Sequence, residues 1–235
     1  MEGILHIILG TPESGRRSNL SAANIEEEPP ERVHFLLPDE LSSSELPYST
    51  WTWKKPGFHF KSTQIETAET FFLFFSNKLD LADQFEATLD LLAFNEKLRI
   101  GRVVLFINSS LLAKANEPTN VWVESAGHFA DAICFTNREN ANAKAISKCK
   151  ESFANMRYPL ETYLLGSKKV PPLERILALT PRRISHIFDP PDLLDSEDSP
   201  QNDPFLAKMA NGRRERPIPL PFLSCLLYTS PSPRD

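Results

Sequence analysis

Near its start the chain reads Gly10-Thr11-Pro12-Glu13-Ser14-Gly15-Arg16-Arg17. The two glycines of this stretch have the separation of a phosphate-binding loop, G-x-x-x-x-G-K-S/T, which joins a buried strand to a helix. Upstream, Ile4-Leu5-His6-Ile7-Ile8-Leu9 is a short apolar run suited to a central parallel strand. The chemical end departs from the motif. Arg16 stands in the lysine place, Arg17 in the place of the hydroxyl residue, and Ser18 comes one residue late. Such a loop works because backbone N–H groups and a helix N-terminus converge on phosphate oxygens. Its lysine neutralises phosphate charge and its hydroxyl ligates Mg²⁺. Arg16 supplies charge on a bulkier planar group, and the guanidinium of Arg17 has no lone pair for a metal. Pro12 lacks an N–H, and the Glu13 carboxylate disfavours phosphate unless it turns away. The spacing therefore predicts an anion seat at Gly10, Ser14, Gly15, Arg16, Arg17 and Ser18 that uses guanidinium charge without Mg²⁺. The plain alternative is a glycine-bearing turn that holds nothing, because G-x-x-x-x-G is a weak pattern.

Working outward, apolar runs alternate with helical periodicity. Val33 to Leu37 reads as a second buried strand stopped by Pro38. Thr50 to Trp53 and Phe58 to Lys61 flank Lys54-Lys55-Pro56-Gly57, which predicts a hairpin. Phe71 to Phe75, Arg102 to Ile107 and Ala132 to Thr136 read as further buried strands, and Tyr163 to Leu165 as a short last one. Leu81, Phe85, Leu89 and Leu92 recur at helical spacing, which predicts a helix over Asp80 to Glu96; Asn142 to Asn155 is helical by composition. The expected fold class is α/β: a mainly parallel sheet flanked by helices, P-loop NTPase-like, over residues 1–166.

Proline divides the chain, with 12 of 20 prolines after Gly166. Residues 167–224 read as a Pro-rich, poorly ordered C-terminal segment that packs little, apart from one helix at Leu173 to Leu179. Within it, Asp189 to Asp203 carries six acidic residues and no basic one, a linker composition. Cys225 to Asp235 reads in order as a translated transposase adapter of a sequencing library. Residues 225–235 are accordingly set aside as a scar, and the natural chain is expected to continue past Ser224. The net charge of −5 argues against nucleic acid as the main partner. No apolar run reaches the roughly 20 residues that span a bilayer, no signal peptide is evident, and a cytoplasmic protein is expected. Cys134 and Cys149 form no C-x-x-C pattern. The five histidines are scattered; His34 and His59 could approach across strands, but too few ligands accompany them for a metal site. No Ser/His/Asp or Cys/His arrangement is readable.

A second motif lies far along the chain. Ala130-Asp131-Ala132-Ile133-Cys134-Phe135-Thr136-Asn137-Arg138-Glu139-Asn140 resembles the strand and base-recognition loop of a GTPase, A-D-x-I/V-x-x-N/T-K-x-D. Without a gap, Thr136 takes the Asn/Thr place, Asn137 the lysine place and Glu139 the carboxylate place. Slipped by one residue, Asn137 and Arg138 match instead, and neutral Asn140 falls where charge is needed for guanine. The order of these segments is similar to that of the CobW-like GTPases, a P-loop group that includes metal chaperones. Leu81-Ala82-Asp83 resembles that family's E-x-S-G-L-A-D-P segment, although Ser76-Asn77-Lys78 lacks the glutamate. The family's G-C-x-C-C metal motif has no counterpart in Ser49 to Phe60, which holds no cysteine. The resemblance implies a site for GTP or GDP at the first loop together with Thr136, Asn137, Arg138 and Glu139. The eroded motifs imply little or no hydrolysis, no Mg²⁺ and no metal cargo. Two other readings stay open: a non-catalytic interaction scaffold that keeps only the fold, with a protein partner the sequence does not name, and an active metal-chaperone GTPase.

Overall fold

A computed structural model describes residues 3–27, 33–41, 48–60, 69–166, 173–189 and 200–223. The apolar runs become strands covered on both faces, which is why they are continuous rather than alternating in polarity. In β1 (Gly3–Gly10), Leu5, Ile7 and Leu9 enter one core and Ile8 the other. β2 (Val33–Pro38), β5 (Thr70–Phe74), β6 (Leu98–Asn108) and β7 (Ala132–Thr136) divide their side chains in the same way. β3 (Tyr48–Lys54) and β4 (Gly57–Phe60) form the expected hairpin, and β8 (Glu161–Leu164) closes the far edge. The order is β4-β3-β2-β5-β1-β6-β7-β8, parallel throughout except for the β3–β4 pair.

Helices cover both faces. α1 (Arg16–Glu27) and α6 (Leu173–Ile176) place Leu20 and Ile176 in one core. α2 (Leu81–Ala93), α4 (Glu117–Phe129) and α5 (Ala143–Asn155) pack into the other, where Phe85 stacks on Phe129 with centroids 4.1 Å apart. A one-turn helix, α3 (Ser109–Leu112), follows β6 directly. The crossover after β1 runs toward β2 over one face, whereas those after β6 and β7 run toward β8 over the other. The chain thus diverges at β1 and β6. In such sheets the crevice outside the strands' carboxyl ends at this divergence is where ligands sit.

The segment beyond Gly166 corrects one expectation. Residues 173–189 and 200–223 do not pack little: Ile187, Phe205, Leu206, Ile218 and Phe222 are buried in the larger core. The helix there is one turn, Leu173–Ile176. Most of the acidic stretch and residues 225–235 lie outside the described residues. His34 and His59 do not meet, because β3 lies between β2 and β4; His34 is buried against the Ser49 hydroxyl at 2.8 Å, and His59 is exposed opposite Thr52.

Candidate functional site

β1 and β6 lie side by side and end together, and their exits are tied by hydrogen bonds. The Thr11 N–H donates to the Phe106 carbonyl (3.0 Å), and the Asn108 N–H donates to Thr11 Oγ1 (2.8 Å). Asn108 then caps α3, its Oδ1 accepting from the Ser110 N–H at 3.0 Å, and its Nδ2 donates to the Pro12 carbonyl at 3.4 Å. The loop Thr11–Gly15 rises from this base and feeds α1. Gly15 has φ +63°, a left-handed conformation that favours glycine. Gly10 is required by crowding: a Cβ there would lie 2.7 Å from Ser14 Oγ and 2.9 Å from Arg16 Cδ. Ser14 therefore folds down onto the strand end inside its own loop. It is buried, and its hydroxyl has no hydrogen-bond partner among the described residues.

The two loops singled out from sequence meet here. The Asn137 side-chain Nδ2 donates to the Glu13 carbonyl at 2.9 Å. Asn137 itself has φ +49°, and Glu13 has φ +54°. The Asn137 carbonyl accepts from Ser110 Oγ (3.5 Å) and from Asn142 Nδ2 (3.4 Å), which fastens the loop after β7 to α3 and the start of α5. Thr136 is buried with its hydroxyl on the Ile107 carbonyl. Arg138 and Glu139 are exposed; Arg138 reaches the Leu164 carbonyl at 3.4 Å, away from the first loop.

The arginine in the lysine place turns inward. Arg16 is 7% exposed, its Nη1 donates to the Ile8 carbonyl at 2.9 Å, and its guanidinium lies 5.6 Å from the Phe74 ring centroid. Arg17, one step along α1, is half-buried. Ser18 is exposed and its hydroxyl donates back to the Gly15 carbonyl at 2.9 Å. The usual Mg²⁺ ligand of such a loop has no counterpart at its place here, because Arg17 offers no lone pair and the Ser18 hydroxyl, one residue late, donates to the Gly15 carbonyl. Among the described residues no three His, Cys, Asp or Glu side chains gather as a metal site.

Sequence reasoning missed several polar residues that build the surroundings. Gln84 is fully buried on α2; its Oε1 accepts from the Ser76 N–H (2.8 Å) and its Nε2 donates to the Ser76 carbonyl (3.0 Å), fixing the turn after β5 beside β1. Asp131, read as part of the base-recognition motif, lies at the opposite end of the sheet. It accepts from the Val103 N–H (2.9 Å), the Arg182 N–H (2.6 Å) and the Arg183 guanidinium (3.1 Å). His128 and Ser185 both meet Asp203 Oδ2, at 2.8 and 2.6 Å. Ser185 faces the carboxylate rather than the imidazole, so this is a clasp and not a nucleophile with its base. Burial pushes the Cys149 thiol up to about 12 and Cys134 higher still, so neither is poised as a thiolate nucleophile. A cleft of about 670 Å³ opens between the hairpin and α2, lined by Trp53, Asp83, Glu86 and Leu206; none of the rim residues lines it. Its Asp83 and Glu86 are paired with Arg214 at 2.6 and 2.7 Å.

The fold and the rim together define an α/β protein with a phosphate-loop-like turn at the divergence of a mainly parallel sheet. No protein-family model and no curated protein matches the chain. Among solved structures it is similar to the Zn(II)-bound YjiA GTPase from E. coli, with a TM-score of 0.47 and 10% identity, covering 77% of this chain and 67% of that one. It is also similar to a Zn(II)-bound triple mutant of the YjiA GTPase, with a TM-score of 0.49 and the same identity and coverage. The rim residues, and not these likenesses, carry the functional reading. No helix among the described residues is long and apolar enough to cross a membrane.

Proposed function

We propose that this chain is a non-hydrolysing, GTPase-like protein whose rim at Gly10 to Ser18 and Thr136 to Glu139 takes a phosphate-bearing ligand, GTP or GDP, without Mg²⁺. One observation carries the reading. The two loops that supply phosphate and base contacts in such proteins are joined here at 2.9 Å through Asn137 and Glu13, while the residue in the lysine place has its guanidinium on the Ile8 carbonyl. The scaffold for binding is therefore kept, and the groups that stabilise charge during phosphoryl transfer are absent from their places. A second reading is favoured by the seating of Ser14 over Gly10: a loop filled by its own side chain suits an interaction scaffold that has given up the ligand.

Titration of the purified protein with GTP, GDP, ATP and pyrophosphate, with and without Mg²⁺, together with a phosphate-release assay, separates the readings. The proposal expects binding that is indifferent to Mg²⁺ and no release above background. Mg²⁺-dependent binding with turnover would establish an active GTPase instead, and the absence of binding by every ligand would leave the scaffold.

A further inference from the structure

We propose that the loop between β1 and α1 is held shut by the protein itself, with Ser14 as the plug and Asn137 as the latch. This rests on the preceding reading only for its consequence, the entry of a phosphate group; the closure stands on geometry alone.

The Ser14 side chain lies against the strand end, 2.7 Å from where a Cβ on Gly10 would be. A side chain of the loop itself is thus buried against the strand end beneath the loop, which an anion would have to displace or bypass. The seat does not satisfy its occupant. Ser14 is 2% exposed and its hydroxyl has no hydrogen-bond partner among the described residues, an unfavourable condition for a buried polar atom. The loop has hydrogen bonds of its own, from the Ser14 N–H to the Thr11 carbonyl (3.2 Å) and from Asn108 Nδ2 to the Pro12 carbonyl (3.4 Å), and a further contact from far along the chain adds to them. That contact is the Asn137 carboxamide on the Glu13 carbonyl, at 2.9 Å, from a residue 124 positions away in sequence. It grips the residue immediately before Ser14, whose φ of +54° is uncommon for a side chain larger than glycine. The latch is itself anchored, since Ser110 and Asn142 both donate to the Asn137 carbonyl.

Releasing Asn137 frees Glu13, lets the loop lift, and returns the Ser14 hydroxyl to water or to a ligand oxygen. An arriving phosphate group then competes with the latch, so affinity is reduced by the fraction of molecules that are closed.

The test uses the full chain with Asn137→Asp, which keeps the shape and removes the donor, and Asn137→Gly, which tolerates the positive φ. Amide hydrogen exchange is read by peptide or residue. Loss of one hydrogen bond of ordinary strength should speed exchange at residues 11–15 by about two- to tenfold, while the protection of β1 and β6 stays as in the parent. Pyrophosphate affinity should rise by the same factor in Asn137→Gly, which opens the latch without adding negative charge beside the anion. Unchanged exchange at 11–15 in both variants, with β1 protection intact, overturns the latch whatever happens to binding. Faster exchange with no pyrophosphate binding by parent or variants upholds the latch and rejects the ligand reading instead.

Discussion

His6 shows at the scale of one residue how the sheet sets chemistry. It lies in the middle of β1, 3% exposed, stacked on Phe72 with ring centroids 5.6 Å apart, and its Nδ1 accepts from the Arg102 N–H at 2.9 Å. Burial, and then the Arg102 charge, hold its pKa down from the ordinary 6.5 to about 4. The sign follows directly. The unfolded chain takes up a proton near pH 6.5 and the folded chain only near 4, so the contribution to stability is complete above 6.5 and is lost as pH falls to 4. That loss is about 3 kcal/mol. Urea midpoints measured between pH 7.5 and 4 should fall steeply for the parent and less for His6→Gln; parallel profiles would contradict this. In the sequence His6 sits inside the apolar run Ile4 to Leu9, the setting of a residue packed in a buried strand. The sequence could not show the inward turn of Arg16, which depends on Phe74 from a distant strand, nor that Asp131 of the A-D motif would accept from Arg182 and Arg183. Residue types in a motif are local, whereas the partners that decide their roles arrive from far along the chain.

At the scale of elements, the strands were legible because buried parallel strands are uninterrupted apolar runs, and α2 because Leu81, Phe85 and Leu89 keep helical spacing. α4 was missed. Its sequence holds Pro118, three β-branched residues (Thr119, Val121 and Val123) and Gly127, which lower helix propensity. The start signals were nevertheless present: Asn116 Oδ1 accepts from the Thr119 N–H at 3.0 Å, and Pro118 falls in the first turn. Gly127 is there for α5. A Cβ at this position would lie 2.3 Å from Phe153 Cε1, and that ring is itself buried and packed against Tyr158 at 5.7 Å. Gly127→Ala should therefore separate α4 from α5 and cost about 1–3 kcal/mol. In a chain of this size that lowers Tm by about 2–4 °C for each kcal/mol. Adding Phe153→Leu should recover part of the loss. A Gly127→Ala protein as stable as the parent in thermal unfolding would show that Phe153 yields freely.

Over the whole molecule, the two ends of the sheet do different work. At the carboxyl ends of β1, β6 and β7 the loops meet through Thr11, Asn108, Asn137 and Glu13. At the opposite end, residues 173–189 are fastened to the sheet. Arg102, fully buried, donates to Glu161 at 3.0 Å and to the Arg175 and Ile176 carbonyls, and Asp131 takes Arg183. Residues 200–223 are held through His128 on Asp203, Arg214 on Asp83 and Glu86, and Phe222 on Trp122. A high proline content reads as weak packing because composition averages over a segment, whereas a few well-placed side chains anchor this one. The proposed ligand seat is the loop rim, and amide NMR during titration with GDP in the absence of Mg²⁺ is its sharpest test. Shift changes are expected to centre on Thr11 to Ser18, Asn108 to Ser110 and Asn137 to Asn142, unaltered when Mg²⁺ is added. Changes that need Mg²⁺, that centre on Asp131 and Arg183 at the other end, or that fail to appear at all would contradict it.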